Sequence, residues 1–343
     1  MVSSSVSDRP VLVTGATGFT GGYLVRSLAA DGHPVRVIVR SRSRAASLPP
    51  GVDVREADIT DPAAVARAVE GVGTIYHLAA AYREASHRED GYWRVNVGAT
   101  RNLLEAASTA GVERFVHCST VGVHGHIANP PADEQAAYSP GDPYQRTKCE
   151  AEVLALAYAR DRGLPLTVAR PTAIYGPGDT RLLKMFRMIA KGTFVMLGSR
   201  DINYHMVFVD DLVAGLRLLG THPAAAGEVF ILGGDRYYLL KTIAGMIADL
   251  LGVRRPRIRL PAAPFQIAGS ICEAICVPLG VEPPIYRRRV DFFTKSRAFS
   301  IEKARRILGY SPQVPLEVGL RRTLDWYLDQ GQITQGKLIA ALG

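Results

Sequence analysis

Tyr144 and Lys148 stand four residues apart in Tyr144-Gln-Arg-Thr-Lys148, within a stretch that reads as a helix over 143–161. Residues four apart share one helix face. The lysine ammonium would therefore lie beside the phenol and lower its pKa from about 10, which makes the phenol an acid or base usable near neutral pH. That spacing is common by itself. It gains meaning from Thr14-Gly-Ala-Thr-Gly-Phe-Thr-Gly21, where glycines fall at 15, 18 and 21 after an apolar run and before a helical one. Gly15 permits a tight turn, Gly18 lets a pyrophosphate approach the backbone, and Gly21 allows close helix–strand packing. The helix N-terminus, with Thr17, Phe19 and Thr20, would hold the anion. The plainer alternative is a glycine-rich turn that binds nothing.

Two further groups bear on chemistry. The second apolar run ends in Val39-Arg40-Ser41-Arg42-Ser43-Arg44, where a dinucleotide site for NAD would carry Asp or Glu. An arginine there can take a ribose 2′-phosphate bidentately, which favours NADP over NAD. The alternative is a solvated arginine loop, with NAD bound without a carboxylate clamp. Ser119 and Thr120 close the run 114–118, and either hydroxyl could polarise a substrate oxygen at the carboxyl edge of a sheet.

The elements that must position these groups alternate. Strands are expected at 10–14, 35–39, 52–56, 74–78, 114–118 and 166–169. Helices are expected at 18–31, 62–70, 93–110 and 143–161. That alternation predicts an α/β fold, a Rossmann-type doubly wound parallel sheet over 10–172. Residues 173–343 read as a smaller, mainly helical substrate region, with helices near 180–191, 210–219, 239–251 and 316–329 and some segments returning to the core. Length, 343 residues, and 47% hydrophobic content exclude disorder and any need for staples. Four cysteines without a CxxC pair read as free thiols of a reducing compartment.

With these residues in hand, the chain resembles the extended short-chain dehydrogenase/reductase family over about residues 10–330. The likeness rests on the glycine motif, Glu56-Ala-Asp58-Ile59, His77-Leu-Ala-Ala80, Asn96-Val-Gly-Ala-Thr100, Ser119-Thr120, Tyr144 with Lys148, and Arg170-Pro-Thr-Ala-Ile-Tyr-Gly-Pro-Gly-Asp179. It implies that Asp58, beside Ile59, holds the adenine amino group and that Leu78, Ala79 and Ala80 line the pyrophosphate and ribose path. Thr120, with neighbour Ser119, is the catalytic hydroxyl and Tyr144 the acid/base. Lys148 also binds the nicotinamide ribose, Pro171, Thr172 and Ala173 pass the nicotinamide amide, and Asn96 supports the lysine or merely packs. Arg40 departs from the NAD-specific members. Tyr82, His124 and His205 are candidate substrate contacts. The segment through Arg297–Tyr310 resembles the 3β-hydroxysteroid dehydrogenase branch, whereas Val123-His-Gly125 and the core also resemble nucleotide-sugar epimerases and dehydratases.

The resemblance implies an NAD(P)-dependent oxidoreductase that moves hydride at a secondary alcohol or ketone of an apolar, hydroxysteroid-like molecule. The alternatives are a nucleotide-sugar epimerase or dehydratase using NAD and, more remotely, a non-catalytic dinucleotide-binding protein. A homodimer through 93–110 and 143–161 is implied as well. His124-Gly-His126 has no companion carboxylate or cysteine, so no metal is expected. Cys272 and Cys276 are expected to be buried.

The net charge of +9 lies almost wholly in residues 241–343, which hold sixteen Lys/Arg against eight Asp/Glu. No reading motif or aromatic interleaving supports nucleic acid as partner. The apolar segment 260–281, with a helix of 265–277, lies between Arg254-Arg-Pro-Arg-Ile-Arg259 and Arg287-Arg-Arg289. It is too short to span a bilayer. It reads as an internal helix or as a lid making peripheral membrane contact through 260–289. A polar N-terminus without a signal-peptide core points to a cytoplasmic protein, with that peripheral contact as the variant.

Overall fold

The computed structural model describes residues 9–82, 89–276 and 287–333. In chain order the first half forms β1 (Val11–Thr14), α1 (Phe19–Ala30), β2 (Val35–Val39), β3 (Asp53–Glu56), α2 (Pro62–Val69), β4 (Thr74–His77), α3 (Glu89–Trp93), α4 (Ala99–Thr109), β5 (Arg114–Cys118), α5 (Pro143–Arg162) and β6 (Leu166–Pro171). Then come β7 (Ala173–Tyr175), α6 (Leu183–Ala190), β8 (Met196–Leu197), β9 (Asn203–Tyr204), β10 (Met206–Phe208), α7 (Val209–Thr221), β11 (Val229–Leu232) and β12 (Tyr238–Leu239). The chain ends with α8 (Leu240–Leu250), β13 (Arg259–Leu260), α9 (Ala263–Cys276), α10 (Arg287–Thr294), α11 (Glu302–Leu308) and α12 (Leu316–Asp329).

Seven strands pair in the order β11-β6-β5-β4-β1-β2-β3, all parallel. The order reverses between β1 and β4, which opens a crevice at the carboxyl ends of those strands. Strand side chains alternate in period two. Val11, Val13 and Val37 pack with Leu24 and Leu28 of α1 and Leu212 and Leu216 of α7. Leu12, Ile38, Ile75 and Phe115 face Val65 of α2, Leu103 of α4 and Ala155 of α5. Helices cover both faces, so these strands are largely apolar, with polar residues mainly at their ends.

The chain leaves the sheet after β6, returns with α7 and β11, and leaves again. The excursions build a separate apolar cluster around Phe186, Ile189, Ile243, Ile247, Leu320 and Tyr327. Two expected elements differ. The helix expected over 93–110 is interrupted by a π turn at Arg94–Gly98, and the apolar helix runs Ala263–Cys276 with Cys272 and Cys276 half-buried rather than buried.

Candidate active site

The turn after β1 is built for close approach. Gly15 has φ +74, and a Cβ there would stand 2.8 Å from Ala79 N. A Cβ on Gly21 would stand 2.1 Å from the Gly15 carbonyl oxygen. Only glycine satisfies both contacts. Gly18 caps α1, and with exposed Thr17 it borders a cleft of about 450 Å³. Phe19, Tyr23 and Arg26 of α1, Pro177 and Trp326 of α12 complete the cleft wall, while Thr20 is half-buried at the start of α1. Tyr23 donates to Pro177 O at 2.9 Å, which draws the 176–179 loop over the helix N-terminus. Of these, Phe19 and Thr20 belong to the glycine motif and Pro177 to the Arg170–Asp179 motif read from the sequence, whereas Tyr23, Arg26 and Trp326 were not singled out there.

Arg40 follows β2 and is exposed. Asp58 accepts from Thr60 N and Oγ1 at 2.9 and 2.8 Å. These bonds, with Arg94 and Arg40 nearby, hold its carboxyl below the usual range against the cost of partial burial. Ile59 is half-buried, and its carbonyl accepts from Asn102.

A buried relay fixes the next strand end. Thr14 Oγ1 bonds His77 Nδ1 at 2.8 Å, His77 Nε2 meets Thr100 Oγ1 at 2.9 Å, and Thr100 donates to Asn96 O. These partners assign the Nε2–H tautomer. Burial pushes the ring pKa down to about 3, with Lys148 adding to the effect. Ala79 N donates to Thr14 Oγ1, so Leu78, Ala79 and Ala80 run beside Gly15.

Asn96 lies in the π turn, and its contacts there are those of a packing residue rather than of a support for Lys148. It is buried, accepting from Ala81 N at 2.8 Å and donating to Ala81 O and to Thr147 Oγ1 at 2.9 Å. Its amide is committed to protein, and it positions the 79–82 segment against α5.

Helix α5 begins where Asp142 accepts from Gln145 N at 2.8 Å and Pro143 fills the first turn. Tyr144 is half-buried, edge-on to Tyr82 at 4.8 Å between centroids. Lys148 is buried one turn on and donates to Cys118 O at 2.7 Å. Burial lowers its pKa. Thr120 is half-buried and accepts from Gly122 N at 3.1 Å, so its own hydrogen can serve a substrate oxygen. Ser119 points away, buried and donating to Glu152. Glu152 also pairs with Arg170 and accepts from Tyr138, and the sequence did not single it out although it falls four residues after Lys148.

His124 and His205, expected near substrate, are instead core residues. His124 is 1% exposed, with Nδ1 donating to Ala137 O at 3.2 Å and Nε2 accepting from Arg170 at 3.0 Å. His205 is 3% exposed and donates to Gly234 O at 2.9 Å. His126 Nδ1 accepts from Ser296 N. Thr172 follows buried Pro171 and precedes half-buried Ala173, and its hydroxyl oxygen is buried without a hydrogen-bond partner among the described residues. Arg181 bridges Asp179 and the Ile174 carbonyl, 5.6 Å from the Phe19 centroid and within electrostatic reach of Tyr82 and Tyr204.

Residues 11–233 match the NAD dependent epimerase/dehydratase family. The chain belongs to that family. Within this extended short-chain dehydrogenase/reductase group it lies on the 3β-hydroxysteroid dehydrogenase-like side. It is 33% identical over 93% of its length to a 3β-hydroxysteroid dehydrogenase/Δ5→4-isomerase of Mycobacterium tuberculosis, covering 90% of that protein. It is 32% identical over 91% of its length to a 2-alkyl-3-oxoalkanoate reductase of Stenotrophomonas maltophilia, covering 97% of it. Among solved structures, gox2253 superposes with a TM-score of 0.79 at 30% identity, over 95% of this chain and all of that one. The protein is thus an NAD(P)-dependent enzyme of the extended short-chain dehydrogenase/reductase group.

The residues of the epimerase/dehydratase core fit a dinucleotide. Gly15 and Gly21 leave room that a Cβ would fill, and the first turn of α1 offers backbone N–H groups to a pyrophosphate. Thr172 offers an unmatched buried hydroxyl where the chain leaves β6. Among the described residues no three His, Cys, Asp or Glu side chains group as a metal site, and no helix is long and apolar enough to cross a membrane.

Proposed function

We propose that the protein transfers hydride between NADP(H) and a carbon bearing a secondary hydroxyl or ketone in an apolar, hydroxysteroid-like substrate. The observation that carries this reading is the pair of aromatic clusters, one at Tyr144 and one at Tyr204, that flank Arg181. Tyr82 stands edge-on to Tyr144, and Tyr204 packs on Phe292 at 5.1 Å, with Phe293 behind it at 5.0 Å. Arg181 lies in reach of both tyrosine groups. Such walls favour a flat apolar molecule over a sugar diphosphate. Five of the tail cations that could grip a diphosphate are paired within the protein. Arg255 bonds Asp249, Arg259 and Lys241 bond Asp201, Lys303 bonds Glu228 and Arg305 bonds Asp235.

A bound nicotinamide supplies or accepts the hydride. In reduction, Tyr144 gives its proton to the carbonyl oxygen and Thr120 donates to the same oxygen as charge develops. Lys148, which donates to the Cys118 carbonyl one helix turn after Tyr144, would bind the nicotinamide ribose and supply a positive charge on the phenol's side of α5. Pro171, Thr172 and Ala173 line the carboxamide. Arg40 takes the 2′-phosphate, and Asp58 with Ile59 takes the adenine. Self-association through α4 and α5 completes the proposal, since Trp93 and Val153 are exposed apolar side chains beside and on that helix pair.

The test is the cofactor content of the purified protein and its NADPH oxidation with steroid and long-chain ketones. Free exchange and ketone-dependent oxidation support the reading. Tightly retained NAD, with interconversion of nucleotide sugars and no net redox, would replace it with the epimerase or dehydratase reading that the family also holds.

A further inference from the structure

We propose that α9 docks flat on an anionic phospholipid surface. Of the nine large apolar side chains exposed among the described residues, five fall between Ile258 and Ile275. Ile267, Ile271 and Ile275 recur at four-residue spacing on α9 and are 61%, 55% and 58% exposed. They form one stripe along the helix. The opposite side carries Ala268, Gly269, Cys272 and Cys276, which are buried or half-buried. Three isoleucines thus face outward, while the inward side holds half-buried Phe265 among small residues, which is not what packing against a core alone selects. At 14 residues, α9 is about 21 Å long and too short to span.

The charge around the stripe selects the occupant. Arg254 and Arg257 are exposed just before the helix and make no ion pair among the described residues. Arg287-Arg-Arg289 opens α10, which packs on α9. The only charged residue within α9 is half-buried Glu273. Apolar side chains beside unpaired guanidiniums match an interface where acyl chains lie under anionic headgroups. A second protein copy would meet few acids for these cations, since Glu273 is half-buried and Asp291, which lines the cavity beside Ile267 and Ile271, is paired with Lys295.

Docking has a consequence for the proposed reaction. Phe292 of α10 packs on Tyr204 of the second aromatic cluster, so the docked helix pair would face an apolar substrate dissolved in the bilayer. That consequence rests on the proposed function, whereas the docking does not.

The experiment is flotation of the full-length protein with phosphatidylcholine vesicles, with and without phosphatidylserine. Anionic vesicles should bind at least about tenfold more tightly than neutral ones, less so at high salt. Changing Ile267, Ile271 and Ile275 together to Ser, or Arg254 and Arg257 together to Ser, should each weaken binding at least about tenfold. Thermal unfolding should not shift, because these side chains are exposed. Equal binding to both vesicle types, no binding, or an isoleucine variant that binds as tightly as the parent would overturn the proposal. So would an isoleucine variant that changes only the sedimenting mass, since that assigns the stripe to a contact between copies. NADPH turnover of a water-soluble ketone, read in parallel, reports the proposed function independently of docking.

Discussion

Glu152 and Arg170 form a buried ion pair, with Arg170 Nη2 donating to Glu152 Oε1 at 2.5 Å and Nε donating to the same oxygen at 3.0 Å. The pair joins three element ends that carry the candidate site. Glu152 lies one turn beyond Lys148 on α5 and accepts from Ser119, the neighbour of Thr120. Arg170 lies near the end of β6, next to Pro171, Thr172 and Ala173, and it also donates to His124 and Glu134 O.

Replacing one member of such a pair leaves the other charge buried and uncompensated. Glu152→Gln should therefore lose about 3 kcal/mol of stability, read by urea unfolding. A loss below about 1 kcal/mol would show that Tyr138 and Ser119 suffice to hold Arg170 and its neighbours.

Local patterning made the sheet legible, because β1 and β2 are largely apolar runs bounded by turn residues. The glycine motif and Tyr144 with Lys148 were legible for a similar reason, being local spacings with a chemical purpose. Long-range partners were not. The π turn depends on Asn96 reaching Ala81 and Thr147, contacts that a helical pattern cannot display. His124 ends a short helical turn after β5 and His205 joins β9 to β10, and sequence does not say whether such a ring faces solvent or core. Trp326 reaches the cleft beside the glycine turn only through the packing of α12, some three hundred residues after the glycines.

Arg40 supplies a second prediction. It stands exposed at the end of β2, near enough to Asp58 to help hold that carboxyl ionised. Arg40→Asp should repel a 2′-phosphate and offer a ribose diol an acceptor. The ratio of kcat/KM for NADPH over NADH should fall by at least about tenfold, since a charge-assisted contact is worth about 1.5–3 kcal/mol. An unchanged ratio would show that Arg40 does not read the phosphate.

Tyr144 gives a third. Tyr144→Phe keeps the ring that packs on Tyr82 and removes only the proton donor. Turnover should fall by about 10²–10⁴, with dinucleotide affinity and thermal unfolding retained. Preserved turnover would remove the phenol from the mechanism and direct attention to Thr120.

The last prediction concerns acid. His117 is fully buried with neither ring nitrogen hydrogen-bonded among the described residues. Its ring lies 5.5 Å from that of His77. Burial, with Lys148 adding to it, holds His117 far below the ordinary histidine value and pushes His77 down to about 3. Both are neutral when folded, while in the unfolded chain they protonate near 6.5. Below about pH 6.5 the unfolded state therefore binds more protons, and stability must fall as pH falls, until the folded-state values are reached. Between pH 7.5 and 5.5 each ring should contribute about 1 kcal/mol to that loss. His117→Phe breaks no hydrogen bond seen here and removes one titrating ring from the core. Urea unfolding at the two pH values should show a loss smaller by about 1 kcal/mol in the variant. An identical loss would mean that His117 takes up its proton in the folded protein as readily as in the unfolded one.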